Sequence, residues 1–255
     1  MQKLVFFLLT AIALGTVPAI AGSECLECKG PYGLTYQVWG NRCPQNTTHT
    51  NTLTPLSCGV ETLKGDPFFE CTASNPNHKT WVGGSNSDLI AIATASGSLG
   101  SATVFRLQDG TDLGCGADVQ QRSHFTAVRY GNNRDILDIY AMTPESILLR
   151  STFRIQDGYH HGLVVGDNYV ARLYGAHKDI IRAYFIRSNG IVVQSDEFRI
   201  QDGRDHQIVP LTGSTTDFGI IYGNNDDVRA RVCFLKGEWK IKLNQRDGTF
   251  PASCE

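Results

Sequence analysis

Residues 105–110 read FRLQDG, and this stretch returns twice later in the chain with one conservative change. It recurs as FRIQDG at 153–158 and at 198–203, and a diverged fourth copy, LNQRDG, occupies 243–248. The Asp-Gly glycines of these copies are 48, 45 and 45 residues apart. A fixed period of this length indicates a protein built from tandem structural repeats.

A second marker keeps the same period. The pair Tyr-Gly occurs at 130–131, 174–175 and 222–223, and an Asp lies four residues after each glycine and is followed by a β-branched residue. Gly84, followed by Asp88 and Leu89, fits as a first and more divergent copy. Two independent markers with one period predict four tandem units of about 46 residues.

Within a unit the pattern is that of β-strands. In residues 152–156, Phe153 and Ile155 alternate with polar residues, and the same alternation recurs at Trp239, Ile241 and Leu243. Gly, Asn and Asp bound these runs, as is typical of turns between strands. Three or four strands in each of four units predict an all-β fold of roughly twelve to sixteen strands.

The most favoured architecture is a small four-bladed β-propeller, because radial closure protects the edges of many short sheets. A β-trefoil is the alternative, although it requires three units, and a sandwich of two repeat pairs ranks third. The rhythm of Tyr-Gly, Asn-Asn and Asp-hydrophobic resembles the repeats of secreted propeller lectins over a handful of positions in each unit. That resemblance implies a protein that binds sugars.

The first 21 residues have the pattern of a secretory signal peptide. A positive start at Lys3 precedes an apolar run over 4–14, and 19–21 supply the small-x-small cleavage pattern. The run is shorter than the ~20 residues of a membrane span. We therefore expect a secreted, extracellular protein without membrane insertion. The 255 residues carry a formal charge of −2, which leaves no overall basic footprint for nucleic acid.

Eight cysteines follow the predicted cleavage point, and in an exported chain an even number predicts structural disulfides. They are Cys25, Cys28, Cys43, Cys58, Cys71, Cys115, Cys233 and Cys254. Five of them fall in residues 22–79, which we interpret as a Cys-rich N-terminal module ahead of a four-repeat domain at 80–255. This module is either separate or closes the ring of repeats. We expect Cys115 to tether it to the repeats and Cys233 to pair with Cys254.

The Gln-Asp-Gly loops are the candidate ligand sites. Asp-Gly is a preferred hairpin turn, and that structural role is the leading interpretation. The functional alternative is a repeated polar pocket whose amides and carboxylates bind sugar hydroxyls, with a ring stacked on the sugar. The candidate binding residues are Gln108, Asp109, Gln156, Asp157, Tyr159, His160, Gln201, Asp202, Asp205 and His206.

Other chemistry is sparse in the sequence. The Asn and Asp residues before the strands are expected to hydrogen-bond local backbone groups, so no cofactor is predicted. The loop 224–227 is the one place where the sequence leaves calcium open as an alternative. Arg106, Arg154 and Arg199 share one repeat position, where solvated ion pairs explain them better than a phosphate track. Asn46 begins a glycosylation sequon. No catalytic motif of a hydrolase, nucleotide-binding or metalloprotease type is present.

These observations favour a secreted, non-enzymatic binding protein. Repeated loops gain avidity when several weak sites act together, and extracellular glycans or glycoproteins suit repeated polar loops. The alternative is a secreted effector or inhibitor that binds another protein. A secreted hydrolase ranks third.

Overall fold

The computed structural model describes residues 24–30, 33–53, 60–61, 67–72, 77–107, 112–155, 160–194, 197–200, 206–223, 226–244 and 248–255. These residues form an all-β fold, as predicted. The strands are β1 Cys25–Lys29, β2 Thr35–Trp39, β3 Thr48–Leu53, β4 Val60–Glu61, β5 Phe68–Cys71, β6 His78–Gly83, β7 Leu89–Thr94, β8 Thr103–Arg106, β9 Val119–Gln121, β10 Phe125–Tyr130, β11 Ile136–Met142, β12 Leu148–Arg154, β13 His160–Val165, β14 Tyr169–Tyr174, β15 Ile180–Ile186, β16 Val192–Gln194, β17 Phe198–Arg199, β18 Gln207–Pro210, β19 Asp217–Tyr222, β20 Val228–Leu235 and β21 Glu238–Asn244, and one short 3-10 turn covers Leu99–Ser101.

The strands form four antiparallel sheets that follow one another along the chain. The four blades are β5–β8, β9–β12, β13–β17 and β18–β21, with the strands of each blade in sequential order. The first strands of neighbouring blades contact each other, β5 with β9 and β13 with β18. The third blade divides its last strand into β16 and β17, which both pair with β15.

Blades that follow one another along the chain pack their apolar faces together. One core lies between the first and second blades, one between the second and third, and one between the third and fourth. A ring pair marks each interface: Phe105–Tyr140 at 5.0 Å, Phe153–Tyr184 at 4.3 Å and Tyr169–Phe218 at 5.6 Å between centroids. Four small sheets stacked in this way define a β-propeller fold. The trefoil alternative is excluded, because it requires three units.

The repeat marker Gly-x-x-x-Asp makes the same turn in every blade. Gly84, Gly131, Gly175 and Gly223 have φ angles of +92°, +95°, +93° and +96°. These backbone conformations are accessible to glycine and strained for other residues. A Cβ added at any of these glycines would lie within 2.4–2.9 Å of the Oδ1 of the Asp that follows. The turn therefore needs glycine for its backbone angle and also for the space that the Asp occupies.

The arginines of the FR[IL] motif form ion pairs with the turn aspartates. Arg106 pairs with Asp88 in the first blade. In the second and third blades the distances are 3.8 Å from Arg154 Nε to Asp135 Oδ2 and 3.9 Å from Arg199 Nε to Asp179 Oδ2. The three arginine side chains are 47–63% exposed. Solvated ion pairs, as predicted, account for this repeat position.

A charged network is buried within the second blade. Asp138 is fully buried and accepts hydrogen bonds from the Tyr130 and Tyr140 hydroxyls at 3.1 and 3.0 Å. Arg150 Nε donates to the same carboxylate at 2.9 Å, and the Thr152 hydroxyl donates at 2.6 Å. Burial, followed by the Asp138 charge, raises the pKa of Tyr130 well above its usual range. Pairing with Arg150 and the three hydroxyl hydrogen bonds offset the cost of burying the Asp138 carboxylate.

The N-terminal strands belong to the same sheets as the repeats. β1, β2 and β3 extend the second blade, because β2 pairs with β12, while β4 pairs with the outer edge of β8. The boundary expected at residue 79 falls inside β6 (His78–Gly83), whose neighbour β5 comes from the predicted front module. These additions, with the divided strand of the third blade, raise the number of strands above the sixteen expected. The predicted signal peptide, 1–21, lies outside the described residues.

Disulfides join Cys28 to Cys43, Cys71 to Cys115, and Cys233 to Cys254. The predicted tether through Cys115 and the predicted Cys233–Cys254 pair are thus confirmed. Cys25 is disulfide-bonded as well, and Cys58 lies outside the described residues. Among the described residues, no helix is long and apolar enough to cross a membrane.

Candidate functional site

Most of the loop residues predicted to bind ligand lie outside the described residues. These are Gln108, Asp109, Gln156, Asp157, Tyr159, Gln201, Asp202 and Asp205, and the first half of the calcium candidate, 224–225, is outside as well. Within the part of the chain that the structure describes, no group of three His, Cys, Asp or Glu side chains is placed to hold a metal ion.

Two predicted site residues are described, His160 and His206. His160 is the first residue of β13 and His206 directly precedes β18, so both stand where a Gln-Asp-Gly loop enters the next blade. His206 is 2% exposed and packs edge-on against the Tyr222 ring, 5.7 Å away. Burial, followed by the charge of Arg129, holds the pKa of His160 far below its usual range. Among the described atoms, the ring nitrogens of both histidines have no hydrogen-bond partner.

The opposite ends of the first strands border a cleft of about 890 Å³, which we term the inner-strand cleft. Three blades contribute to it, because the chain leaves β5, β9 and β13 at this end. The Cys71–Cys115 disulfide forms part of its wall. Its polar lining consists of Glu70, Thr72, Gln120, Gln121, Arg122, Ser123 and Asp167.

Arg122 is fixed in the inner-strand cleft by backbone carbonyls of two blades. Its Nε and Nη2 donate to the Val165 carbonyl at 3.0 and 2.6 Å, and its Nη1 donates to the Gln121 carbonyl at 2.8 Å. A guanidinium has five N–H donors, so these bonds leave two for a ligand. Because its partners are backbone carbonyls, the main chain of two blades sets the orientation of the Arg122 guanidinium.

Buried histidines form the wall behind the cleft. His78 Nε2 lies 2.7 Å from Thr126 Oγ1, and the Gln121 side-chain amide donates to the His78 carbonyl. Burial, followed by the charge of His124, lowers the pKa of His78 to about 4. Burial also lowers the pKa of His124, whose Nδ1 lies 3.2 Å from Ser123 Oγ. Burial therefore disfavours the charged form of both rings, and the His78 main-chain carbonyl and the His124 ring contact the lining side chains of Gln121 and Ser123.

The innermost strand of the first blade carries an exposed aromatic side chain next in sequence to two residues of the cleft lining. Phe69 is 70% exposed, the largest value among the exposed large apolar side chains of the described residues. It precedes Glu70 on β5 and, because side chains alternate along a strand, it shares a face with Cys71. Glu70 and Cys71 both line the cleft.

The sequence repeats gave no signal for the inner-strand cleft. Glu70 and Thr72 follow the N-terminal region. Gln120, Arg122 and Asp167 are residue types that the other units do not repeat at the corresponding positions. The available signal was the polar run 120–123 at the end of a short strand. Asn46 lies elsewhere, exposed in a left-handed turn with φ +65° ahead of β3.

Comparison with known proteins gave structural similarity alone. No family model and no curated protein matches this chain. Among solved structures, it is similar to a functionally unknown protein from Desulfotomaculum acetoxidans, at 14% identity and TM-score 0.43 over 88% of this chain and 66% of that one. A Lactobacillus plantarum protein has 11% identity and TM-score 0.40 over 90% and 69%, and a candidate 6-phosphogluconolactonase from Bacteroides fragilis has 10% and 0.37 over 90% and 70%. The chain thus spans about two-thirds of their lengths.

Proposed function

We propose that this protein is a secreted, lectin-like propeller that binds a glycan in the inner-strand cleft. The observation that carries the proposal is the cleft itself, whose polar lining comes from three blades and includes the oriented guanidinium of Arg122. A predicted signal peptide and the three disulfides among the described residues support secretion.

Sugar hydroxyls both donate and accept hydrogen bonds, and the cleft offers partners for each. Glu70 and Asp167 accept, the two remaining N–H groups of Arg122 donate, and Gln120 does both. Two carboxylates against one guanidinium favour a neutral sugar over an acidic one. Phe69 supplies the apolar surface on which the C–H face of a pyranose stacks. The binding proposal contains no catalytic step.

The Gln-Asp-Gly loops remain a second predicted contact region. If they also bind sugar, several weak sites act on one polymer and raise the avidity. The exposed turn at Asn46 also suits the predicted glycan attachment, which would lie outside the lining of the inner-strand cleft.

The test is a glycan array with the oxidised, folded protein that begins at Gly22, run with and without EDTA. We expect neutral glycans to bind, and calorimetry with the best of them should show at least about tenfold weaker binding for Asp167→Asn and for Arg122→Gln. Glu145→Gln, an exposed carboxylate outside the cleft, is the matched control and should bind like the wild type. An empty array overturns the proposal, and loss of binding in EDTA would revive the calcium hypothesis at 224–227.

A further inference from the structure

The last strand of the fourth blade is an exposed edge. β21 (Glu238–Asn244) is the outermost strand of its sheet and, in the described part of the chain, pairs with β20 alone. Five of its seven residues are exposed. An edge strand presents a row of N–H and C=O groups that another strand can pair with.

One face of β21 is apolar and continues an existing core. Trp239, Ile241 and Leu243 lie on it, and Trp239 packs against the core between the third and fourth blades. Ile241 and Leu243 stand opposite Val232 and Ala230, which are fully buried in that core, yet they remain 40% and 51% exposed. The apolar face that the fourth blade turns toward the third blade therefore continues over Ile241 and Leu243, where the third blade no longer covers it.

The same edge is already occupied in the first two blades. β4 pairs with the outer strand β8 of the first blade, and β2 pairs with the outer strand β12 of the second, both antiparallel. The N-terminal region thus adds a strand to two of the four outer edges. The outer edge of a blade in this fold accepts an additional antiparallel strand, and β21 is the corresponding edge of the fourth blade.

The other face of β21 sets the charge of a strand that could bind there. Lys240 and Lys242 lie on it, with Glu238 at the start of the strand. Lys242 also donates to the backbone oxygen of Glu255. In an antiparallel pair of two β21 strands centred on Ile241, Lys240 would stand opposite Lys242. Like charges directly opposite are destabilising, so the lysines disfavour a second copy and favour an acidic strand.

We propose that β21 binds an extended segment of a partner protein in which acidic and apolar residues alternate. The segment adds to the sheet as an antiparallel strand, so its backbone pairs with β21. Its apolar side chains cover Ile241 and Leu243, and its carboxylates face Lys240 and Lys242. This site is separate from the inner-strand cleft and does not depend on glycan binding.

The probe is a fluorescein-labelled synthetic peptide of alternating Glu and Val, about as long as a typical strand. Fluorescence anisotropy measures its binding to the whole protein, and amide hydrogen exchange locates the site. We expect protection of the amides of β21, weaker binding at higher salt, and at least about tenfold weaker binding for Ile241→Thr combined with Leu243→Thr. Threonine retains strand propensity, and circular dichroism checks the fold of each variant.

Charge reversal gives the sharper outcome. The pair Lys240→Glu and Lys242→Glu should lose the Glu-Val peptide and acquire binding to a Lys-Val peptide of the same length, whereas the distant control Lys29→Glu should behave like the wild type. Failure of the wild type to bind, or binding without protection of β21, overturns the proposal. So does a dimer of the free protein in light scattering whose β21 amides are protected, because the occupant would then be a second copy.

Discussion

Replacing Gly131 by Ala tests why the repeated turn has glycine at the same position in all four blades. At φ +95° an L-residue is disfavoured, at a cost of about 1–2 kcal/mol. The new Cβ would also lie 2.4 Å from Asp135 Oδ1. Forced displacement of a packed neighbour typically costs about 1–3 kcal/mol. Together these effects predict a loss of roughly 2–5 kcal/mol in the free energy of unfolding.

Gly237→Ala is the matched control. Gly237 has φ +90°, and a Cβ built on it meets nothing within 4 Å. The Gly237→Ala variant should therefore lose only the free energy that the backbone conformation costs, about 1–2 kcal/mol. Urea unfolding of both variants, with unchanged m-values, measures the difference. Equal losses would refute the argument that the Asp carboxylate selects glycine. In the double variant with Asp135→Ala, the cost of Gly131→Ala should shrink toward that of the control.

Three further perturbations have defined outcomes. Asp138→Ala leaves the Arg150 charge buried without its carboxylate and should cost about 3–5 kcal/mol by urea unfolding, of which Asp138→Leu combined with Arg150→Met restores a large part. Burial lowers the pKa of His78 from 6.5 to about 4, so as the pH falls the unfolded chain takes up the proton first. The free energy of unfolding should therefore fall by up to about 3 kcal/mol between pH 6.5 and 4. Urea unfolding measured across this pH range should show a shallower slope for His78→Gln than for the wild type. Replacing Cys71 and Cys115 by Ser opens a 44-residue loop and should lower the unfolding free energy by about 2–4 kcal/mol, whereas an unchanged midpoint would contradict a tethering role.

The four units could be predicted because a local requirement repeats. Each turn needs a glycine at positive φ and an Asp beside it, so the marker persists even in the first blade, where Gly84 has lost its tyrosine. The ion pairs of Arg106 and its equivalents follow from the same local geometry. The turn marker and the ion pairs each depend on residues of one hairpin and its neighbouring strand, so a single unit of sequence contains them.

The inner-strand cleft could not be predicted in this way. Glu70, Gln120 and Asp167 are each unremarkable in sequence, and they line one cleft because three successive blades place the ends of their first strands together. The strand β3 was missed for another reason. β3 is exposed or half-exposed along its length and has no apolar alternation, so its pairing with β1 leaves no period in the sequence.

The pairing of β2 with β12 imposes an order on vectorial synthesis. Residues 37–39 find their partners in 148–150, so the outer edge of β2 waits until more than a hundred further residues have been made. The β1–β2 hairpin can form earlier, because Cys28 and Cys43 are only 15 residues apart. Chains fold as units while they are made, from the N-terminus onward. The amino-terminal hairpin therefore has an open edge until the second blade is complete, and a chaperone that shields such edges would act in that interval.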